Sequence, residues 1–448
     1  MKASRRGPLG GVTVIVAGAG LAGLSAARDL EAAGAAVTIV EARDRVGGRV
    51  HTVRDGFAGG QHADAGADLI ESEQSNVIAL ARELKLPLVR ILREGWGFYG
   101  ENGRGRRTLR TAPTTFAEAG KRLKSEIADY ELAGKRWDSA IAARLGRTSV
   151  STWLKSIRAD DGLAAGLRGL RGFFLADPED LSLLMLVDQF ASGETPGESR
   201  MFRIRGGNDR LPRALADRLR GQLILSAIVR RIQRRAGDVV VTLDDRGSRR
   251  EIEAQYCVVT LPATTLRDVR FEPPLPEDQH RAIQSLGYGR ATRMMLQFSK
   301  RFWRKGHRPS AFGTDLLTGA VWDASEEQRG PAGVLTLLAG GRASGELQQL
   351  IATGGSQAVV DRLRWLGRPA DLIAAQVMAW EDEPWSRGGY AFFGPSFDPL
   401  LRAWLARPAG RVLFAGEHTS ERWQGYMNGA IESGKRAAAE VRALTASP

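Results

Sequence analysis

Cysteine is almost absent from this sequence of 448 residues. The single cysteine, Cys257, excludes an internal disulfide, and its apolar surroundings YCVVTLPATTL predict an inert residue in a buried strand. A chain without disulfides suits a reducing compartment, so we expect it in the cytoplasm. Long hydrophobic runs are missing as well. Because no stretch approaches the ~20 apolar residues of a membrane span, we expect no transmembrane segment.

Lysine and histidine are also scarce, with nine lysines against fifty-five arginines and only five histidines. The net charge is +13, but the arginines are scattered and form no basic stripe with interleaved aromatic residues. The histidines show no metal-ligand spacing, and no G-x-S-x-G nucleophile elbow occurs. We therefore expect no nucleic-acid partner, no metal site and no serine-hydrolase chemistry.

Glycine, in contrast, is plentiful, and its most informative cluster lies in VTVIVAGAGLAGLSAARDLEAAGAAVTIVEARDRVGGR. A β-branched run predicts a buried parallel strand, and Gly18, Gly20 and Gly23 then form a G-x-G-x-x-G motif that opens a helix. The helix is predicted to stop near Gly34, and a second strand leads to Glu41. At this length we expect two or three domains, the first of which begins with this strand–helix–strand unit.

Each residue type in this unit has a task in dinucleotide binding. Gly18 permits a tight turn, Gly20 allows the pyrophosphate to approach the backbone, and Gly23 lets helix and strand pack closely. The helix N-terminus faces the phosphates, while Glu41 can accept hydrogen bonds from ribose hydroxyls and argues against the 2′-phosphate of NADP. The predicted cofactor-binding residues of this unit are Gly18, Ala19, Gly20, Leu21, Ala22, Gly23, Glu41, Ala42 and Arg43.

The next residues bear on which dinucleotide is bound. Gly47, Gly48 and Arg49 would bring a second glycine pair and a cationic fork to the pyrophosphate. Simple NAD-binding folds do not need this addition, so the sequence favours FAD.

A second informative stretch, GEHTSERWQGYMNGAIESGKRAA, lies near the end of the chain. An apolar stripe at helical spacing predicts a closing helix, and it consists of Met427, Ile431, Gly434, Ala438 and Val441. Two glycines weaken the start of that helix by roughly 1 kcal/mol each, so something is expected to lie against it.

These two stretches, together with DAGADLI (64–70) and WSRGGY (385–390), resemble the flavin-dependent amine oxidase family. That family includes the monoamine, polyamine and L-amino-acid oxidases. The resemblance implies an α/β chain, α+β overall, in which a Rossmann-like FAD-binding domain carries an inserted substrate domain of sheet and helices. It also implies an FAD domain built from about residues 1–75, 200–285 and 386–448, and a substrate domain built from 76–199 and 286–385.

The resemblance further assigns cofactor contacts outside the glycine motif. Val229 would contact adenine through its backbone, Glu417 would hydrogen-bond the ribityl or phosphate region, and Met427 would offer its backbone N–H to the flavin ring. The positive end of the closing helix would favour the negative charge that the ring gains on reduction. The residues assigned in this way are Gly66, Ala67, Asp68, Val229, Gly416, Glu417, Gly425, Tyr426 and Met427.

Three residues are assigned to the reaction by the same resemblance. Tyr390 and Tyr426 match the paired rings of an aromatic cage around the substrate amine. Arg293 stands where a lysine usually holds a water near flavin N5, and it could hold that water, slow reoxidation by oxygen or, in a shifted register, be a charge at a strand edge. Because Gly389 occupies the position of the cysteine that attaches flavin covalently in some members, FAD is expected to be noncovalent.

The implied reaction is hydride transfer from the carbon next to an uncharged amine to flavin N5, with O2 then reduced to H2O2. Asp68 and Glu71 slightly favour a cationic amine as the substrate, unless they cap a helix or hydrogen-bond locally. Three alternatives stay open: a dehydrogenase or desaturase with another electron acceptor, an L-amino-acid oxidase and, remotely, a noncatalytic FAD-bound interaction protein. The expected partners are a small amine and O2 or another acceptor, and a homodimer is left open.

Overall fold

The structure is a computed structural model that describes residues 7–101, 108–192, 200–306 and 309–446. The described strands are β1 (Thr13–Ala17), β2 (Ala36–Val40), β3 (Thr52–Val53), β4 (Ala63–Asp64), β5 (Ile70–Glu71), β6 (Leu88–Ile91), β7 (Trp96–Gly100), β8 (Thr108–Thr111), β9 (Met201–Ile204), β10 (Gln222–Ile224), β11 (Ala227–Arg234), β12 (Val239–Asp245), β13 (Ser248–Ala254), β14 (Tyr256–Val259), β15 (Arg270–Glu272), β16 (Gly287–Tyr288), β17 (Ala291–Phe298), β18 (Ala311–Thr314), β19 (Ala320–Asp323), β20 (Gly333–Gly340), β21 (Leu372–Ala379), β22 (Ala391–Phe392) and β23 (Val412–Phe414). The described α-helices are α1 (Leu21–Ala32), α2 (Ser75–Glu83), α3 (Ala112–Arg122), α4 (Lys124–Leu132), α5 (Ala140–Gly146), α6 (Val150–Ser156), α7 (Asp161–Arg168), α8 (Arg171–Phe174), α9 (Leu183–Ala191), α10 (Arg210–Ala216), α11 (Ala263–Leu266), α12 (Glu277–Ser285), α13 (Arg342–Asp361) and α14 (Met427–Ala446).

A parallel sheet brings the two ends of the chain together. Its strand order is β10-β2-β1-β14-β23, and every neighbouring pair is parallel. Side chains of β1 alternate between the faces: Val14 and Val16 pack towards α1 and α14, whereas Ile15 packs towards the hairpin sheet that contains β11 and β12. Cys257 lies in β14 with no exposed surface, and burial raises the pKa of its thiol to about 12. This is the inert strand cysteine that the sequence predicts.

Small residues allow the first and last helices to pack closely. A Cβ on Gly23 of α1 would overlap the carbonyl oxygen of Gly18, and one on Gly434 of α14 would overlap the carbonyl oxygen of Ala22. Gly23 therefore has the packing role that its motif predicts. The predicted apolar stripe of α14 is buried along its length, with Ile431 and Val441 fully so. Close contact between α1 and α14 holds the cofactor motif against the end of the chain.

A second, seven-stranded sheet has the order β21-β17-β20-β19-β18-β7-β8. Its strands β17 and β20 are interior and have no exposed residues. Helices α4 to α9 pack beside this sheet around a core that includes Tyr130, Trp153 and Trp322. The predicted mixture of a Rossmann-like parallel sheet and a second unit of sheet and helices is thus present, whereas the predicted domain boundaries stay a prediction. Among the described residues, no helix is long and apolar enough to cross a membrane.

Replacing Gly434 with alanine should destabilise the protein, because the new methyl group would have to push α14 away from the Ala22 carbonyl. We expect Gly434→Ala to lower the free energy of unfolding by about 1–3 kcal/mol in urea denaturation. Gly237→Ala is the matched control, since a Cβ there meets no atom within 4 Å. Equal stability of the two variants would contradict the close contact of α1 and α14.

Candidate active site

A cavity of about 470 Å³ extends from the glycine motif to a chamber beside the seven-stranded sheet. Nineteen of the twenty-one predicted cofactor residues line it, and so do the other two residues assigned to the reaction, Tyr390 and Arg293. The lining cofactor residues are Gly18, Gly20, Leu21, Ala22, Glu41, Ala42, Arg43, Gly47, Gly48, Arg49, Gly66, Ala67, Asp68, Val229, Gly416, Glu417, Gly425, Tyr426 and Met427. The remaining two, Ala19 and Gly23, lie behind the lining. The cavity thus joins both ends of the chain to the seven-stranded sheet.

The glycine motif forms a cradle that fits a pyrophosphate. Helix α1 begins directly after Gly20, and no side chain in the described part of the chain caps it. A Cβ on Gly20 would meet no atom within 4 Å, while one on Gly48 would lie 3.6 Å from the Gly20 Cα atom. The two glycines therefore lie close to each other, and both line the cavity beside the start of α1, whose first N–H groups have no acceptor within the helix. Such a donor set suits the phosphates of a dinucleotide.

Glu41 is held rigidly at the end of β2. Its carboxylate accepts hydrogen bonds from the backbone N–H of Ala19 at 2.8 Å and of Arg43 at 2.9 Å. The side chain is buried but lines the cavity, and each oxygen has a further lone pair for a ribose hydroxyl. Beside it, the Ala227 N–H donates to the Glu41 carbonyl, which brings the start of β11 and hence Val229 to the same end of the cavity. This arrangement fits the predicted adenosine end.

The carboxylate of Glu417 ties three distant segments together. One oxygen accepts hydrogen bonds from Arg49 Nη1 at 3.0 Å and from the Ala391 N–H at 3.3 Å, and the other accepts from the Gly425 N–H at 2.9 Å. Arg49 also donates to the carbonyl of Gly389 at 2.6 Å. Glu417 therefore positions the cationic fork of the glycine motif and the start of the last helix. Its predicted contact with the cofactor stays a prediction.

The glycines near the last helix are needed for two different reasons. Gly425 has φ +83°, a conformation that favours glycine, and a Cβ there would press within 3.3 Å of the Tyr390 ring. A Cβ on Gly429 would overlap the backbone carbonyl of Trp423. Gly429 is therefore required by the chain's own preceding turn, so one of the two glycines at the helix start is explained by a contact within the chain. Gly416, at φ +132°, likewise permits the turn that leads from β23 into this region.

The DAGADLI segment passes beneath the cavity. Trp380 donates its indole N–H to the carbonyl of Ala65 at 2.8 Å, and a Cβ on Gly66 would overlap the carbonyl of Arg49. Gly66 thus lies in close contact with the Arg49 backbone, and both Gly66 and Ala67 line the cavity. This close approach explains the need for small residues at that point.

The two predicted cage tyrosines line the same chamber. The hydroxyl of Tyr390 donates a hydrogen bond to the carbonyl of Phe173, and burial raises the pKa of Tyr390, so this hydroxyl stays protonated. Tyr426 lies immediately before α14, with its ring edge-to-face against Trp423 at a centroid distance of 5.6 Å. Both rings are fixed by packing or hydrogen bonding. Their roles towards a substrate stay predictions.

A row of aromatic rings continues from Tyr390 into the chamber. Phe173 packs edge-to-face on Trp96 at 5.0 Å, and Trp96 packs on Trp322 at 5.9 Å. The guanidinium of Arg293 lies 4.8 Å from the Trp322 ring centroid. Phe98, Leu175 and Leu338 are among the other apolar residues that line this cavity. The chamber wall is therefore mainly aromatic and aliphatic.

Arg293 lies on interior strand β17, so it is not a strand-edge charge. Its Nη1 donates to the backbone carbonyl of Asp64 at 2.6 Å and lies 3.6 Å from a carboxylate oxygen of Asp68. Asp68 also accepts hydrogen bonds from Arg203 Nε at 2.6 Å and from the indole of Trp322 at 2.7 Å. Because both oxygens of Asp68 have protein partners, the structure favours local hydrogen bonding over a free acid that attracts a cationic substrate.

Sequence reasoning missed the aromatic wall and the arginine that compensates Asp68. Phe173, Trp96, Trp322 and Arg203 come from four elements that are far apart in sequence. Only the local apolar character of their segments was visible, and it predicts burial rather than a shared chamber. Metal binding finds no support in the described ranges, where no group of three or more His, Cys, Asp or Glu side chains could hold an ion. His307, one of the five histidines considered for metal binding, lies outside the described residues.

The chain matches the sequence model of the flavin containing amine oxidoreductases over residues 21–442. It is 31% identical over 459 aligned positions to AofH of Mycobacterium tuberculosis, which its name assigns to the flavin-containing monoamine oxidases, with 97% of both chains covered. It is also 29% identical to an L-amino-acid oxidase of Siganus canaliculatus, covering 96% of this chain and 85% of that one.

Solved structures show the same architecture. Cyclohexylamine oxidase from Brevibacterium oxydans superposes with a TM-score of 0.85 at 25% identity, covering 96% of this chain and 99% of that one. A variant of putrescine oxidase has a TM-score of 0.84 at 24% identity with the same coverage, which supports the fold alone. The predicted fold class is thereby confirmed.

Removing the Glu41 carboxylate should weaken flavin binding. We expect Glu41→Ala to raise the dissociation constant for FAD roughly 10- to 100-fold, because a charged acceptor for the ribose hydroxyls is lost. Glu31→Ala is the matched control: Glu31 is also a buried carboxylate that accepts backbone N–H groups, from Arg220 and Gly221, but it does not line the cavity. FAD binding is measured by flavin fluorescence. Equally tight binding by both variants would contradict the assignment.

Proposed function

The chain belongs to the family of flavin-containing amine oxidoreductases, and from that premise we propose that it is an FAD-dependent amine oxidase with O2 as electron acceptor. One observation carries the proposal. A single cavity connects the dinucleotide cradle at Gly20 and Glu41 to the aromatic chamber at Tyr390 and Tyr426. FAD would span both regions, with its adenosine at the glycine motif and its ring at the chamber.

We propose that FAD is held noncovalently. The sequence has one cysteine, which is buried in β14 and does not line the cavity, and Gly389 precedes Tyr390 where a cysteine would be needed. The glycine cradle and Glu41 would hold the pyrophosphate and ribose, and Arg49 would add positive charge, with Glu417 holding Arg49 in place. When bound, the flavin supplies the acceptor for a hydride from the substrate carbon and passes the electrons on to oxygen.

The chain's own residues would orient the amine and exclude water. The ring faces of Tyr390 and Tyr426 attract a nitrogen with a partial or full positive charge, which brings the neighbouring C–H bond to a fixed place. The hydrogen bond from Tyr390 to Phe173 fixes one ring, and the contact of Tyr426 with Trp423 fixes the other. The N-terminal end of α14 adds a positive potential beside the chamber. None of these groups needs to act as a strong base.

We further propose an amine with an apolar body and one charged group as the substrate. The wall formed by Phe173, Trp96 and Trp322 offers an apolar surface of aromatic rings. Asp68, which could have attracted a second ammonium group, is already compensated by Arg203. Arg293, which could have gripped the carboxylate of an amino acid, is engaged by Asp64 and Asp68. These contacts favour a monoamine over a diamine or an amino acid.

The deciding experiment is an anaerobic titration of the purified yellow protein, read as loss of flavin absorbance. Phenethylamine and L-phenylalanine differ only in the carboxylate, and butylamine and 1,4-diaminobutane differ only in the second amino group, so the panel varies each charge separately. We expect phenethylamine to reduce the flavin fastest. Preference for L-phenylalanine would favour an L-amino-acid oxidase, and no reduction by any amine would overturn the proposed activity.

The electron acceptor needs a separate measurement, because Arg293 replaces the usual lysine. Peroxide formed per turnover in air should equal the amine consumed if O2 is the acceptor. Rapid reduction with little peroxide would indicate a dehydrogenase that uses another acceptor.

For the location of the chain we propose the cytoplasm, since its only cysteine is a reduced, buried thiol.

Shortening one cage tyrosine should slow flavin reduction without releasing the cofactor. For Tyr426→Ala we expect a rate of reduction by phenethylamine about tenfold lower, because one ring face is lost. Tyr426→Phe keeps the ring and should reduce at close to the native rate. Stopped-flow absorbance under anaerobic conditions measures both, and an unchanged rate in Tyr426→Ala would exclude this residue from the cage.

A further inference from the structure

A cluster of buried charges lies behind the chamber wall, centred on Arg203 of β9. The guanidinium of Arg203 contacts three carboxylates: Asp68 at 2.6 Å, Glu327 at 2.8 Å and Asp64 at 3.7 Å. All four side chains are at most 4% exposed. Arg203 is thus a fully buried cation that faces three acids, in a protein interior where unbalanced charge is costly.

The cluster reaches the chamber through Arg293. This second arginine donates to the Asp64 carbonyl, lies 3.6 Å from the Asp68 carboxylate and lines the cavity. Asp68 also anchors the indole of Trp322, whose ring faces the Arg293 guanidinium. Asp68 therefore lines the cavity itself, and Asp64 lies directly behind Arg293.

The charges in the cluster do not balance when every acid is ionised. Three carboxylates, Asp64, Asp68 and Glu327, face two guanidinium groups, Arg203 and Arg293, which leaves one negative charge. A single proton on one acid makes the cluster neutral, and burial strongly favours that state. The hydrogen-bond pattern then indicates which acid holds the proton.

Asp64 has the free oxygen that a proton requires. Its Oδ1 accepts hydrogen bonds from Thr52 and from the Asn208 N–H, whereas its Oδ2 has no hydrogen-bond partner among the described residues. Asp68, in contrast, uses both oxygens as acceptors, and Glu327, which also has one oxygen without a partner in the described ranges, accepts a hydrogen bond from Arg203 at 2.8 Å. Asp64 accepts only from the neutral Thr52 and Asn208, since Arg203 lies 3.7 Å away. Burial, followed by the neighbouring Asp68, raises the pKa of Asp64 to about 7.

The other charged or titratable groups near Asp64 are either paired or neutral. Arg54, beyond β3, is paired with Asp209 at 2.7 Å. Burial lowers the pKa of His62, which precedes β4, and lowers the pKa of His51, which precedes β3, to about 4, so both are neutral at pH 7. None of these groups adds an unpaired charge beside Asp64, and on the Glu327 side Arg301 and Arg304 share the carboxylate of Asp323 at 4.0 and 2.9 Å.

Further polar atoms around the cluster are buried without protein partners. Arg203 Nη2, Glu327 Oε1 and His62 Nε2 are buried and have no hydrogen-bond partner in the described part of the chain. Buried polar atoms of this kind are usually satisfied by ordered water. Glu327 lies at the outer side of the cluster on a partly exposed loop, where such water can meet the solvent.

We propose that Asp64 is a positioning residue for the flavin reaction, holding one exchangeable proton that keeps the buried cluster of Asp64, Asp68, Arg203, Arg293 and Glu327 neutral. On ionisation, the O–H bond of the Asp64 carboxyl breaks and its proton passes to water. No electron moves in this step. The negative charge left behind Arg293 and Trp322 disfavours electron uptake in the chamber, which lowers the reduction potential of the bound flavin. This consequence rests on the proposed function, whereas the protonation itself does not.

The proton can be observed directly in the substrate-free holoenzyme. We expect infrared titration to show the C=O stretch of a buried carboxylic acid that disappears as the pH rises through about 7. This band should be lost in Asp64→Asn, which retains an Oδ1 acceptor for Thr52 and Asn208. It should persist in the matched control Asp323→Asn, since Asp323 is equally buried but is paired with Arg304 at 2.9 Å. A band that survives in Asp64→Asn, or is absent from the native protein, would overturn the proposal.

A second variant tests the charge count and does not depend on the folding of Asp64→Asn. Glu327→Gln removes one negative charge, so the remaining two acids and two arginines balance with Asp64 ionised. We expect the acid band of Glu327→Gln to titrate at a lower pH than the native band. An unchanged titration would contradict the idea that the neutrality of the cluster determines whether Asp64 is protonated.

The flavin potential tests the link to the reaction. Measured against pH without substrate, the native potential should fall more steeply above pH 7 than that of Asp64→Asn, whose cluster is neutral throughout. Parallel pH profiles would exclude an effect of Asp64 on the flavin even if its proton is found. None of these measurements requires amine turnover, so failure of the proposed function in the amine panel remains distinguishable from failure of this inference.

Discussion

The site depends on one carboxylate that joins segments from both ends of the chain. Glu417 receives hydrogen bonds from Arg49, which is 368 residues away, and from the Ala391 and Gly425 N–H groups. These bonds place the second glycine pair, the segment that contains Tyr390 and the start of α14 around one cavity. Without this acceptor, a half-buried guanidinium and two backbone N–H groups would lose a partner, and each loss is costly where water is largely excluded. The packing of α1 on α14 then keeps the same segments at a fixed spacing.

The unusual number of arginines is explained in part by those that lie in the protein interior. Arg203 is buried in ion pairs behind the chamber, Arg293 lines the chamber beside Asp68, and Arg402 is buried over the Trp137 ring at 3.8 Å from its centroid. The planar guanidinium suits such places because it can donate several hydrogen bonds and stack on a ring at once. A net charge of +13 therefore does not by itself indicate a polyanion partner.

Much of the cofactor region could be predicted because its signals are local. The G-x-G-x-x-G motif, the acid at the end of β2 and the stripe of the last helix each depend on neighbouring residues along the chain. Position 429 shows the limit of this reasoning. A glycine in a helix start indicates close approach, but the approaching group is the carbonyl of Trp423, and no sequence pattern distinguishes it from a bound ring.

The sequence alone determined the dinucleotide motif, the family resemblance and the residues available for a cage, because periodicity and turn chemistry are properties of short segments. Only the tertiary structure decided which side chains are neutralised and which face the chamber. Asp68 shows the difference: its residue type suggests an attraction for cations, yet Arg203 and Trp322 occupy both its oxygens. Burial and pairing depend on contacts across more than a hundred residues of chain, and such contacts leave no local pattern in the sequence.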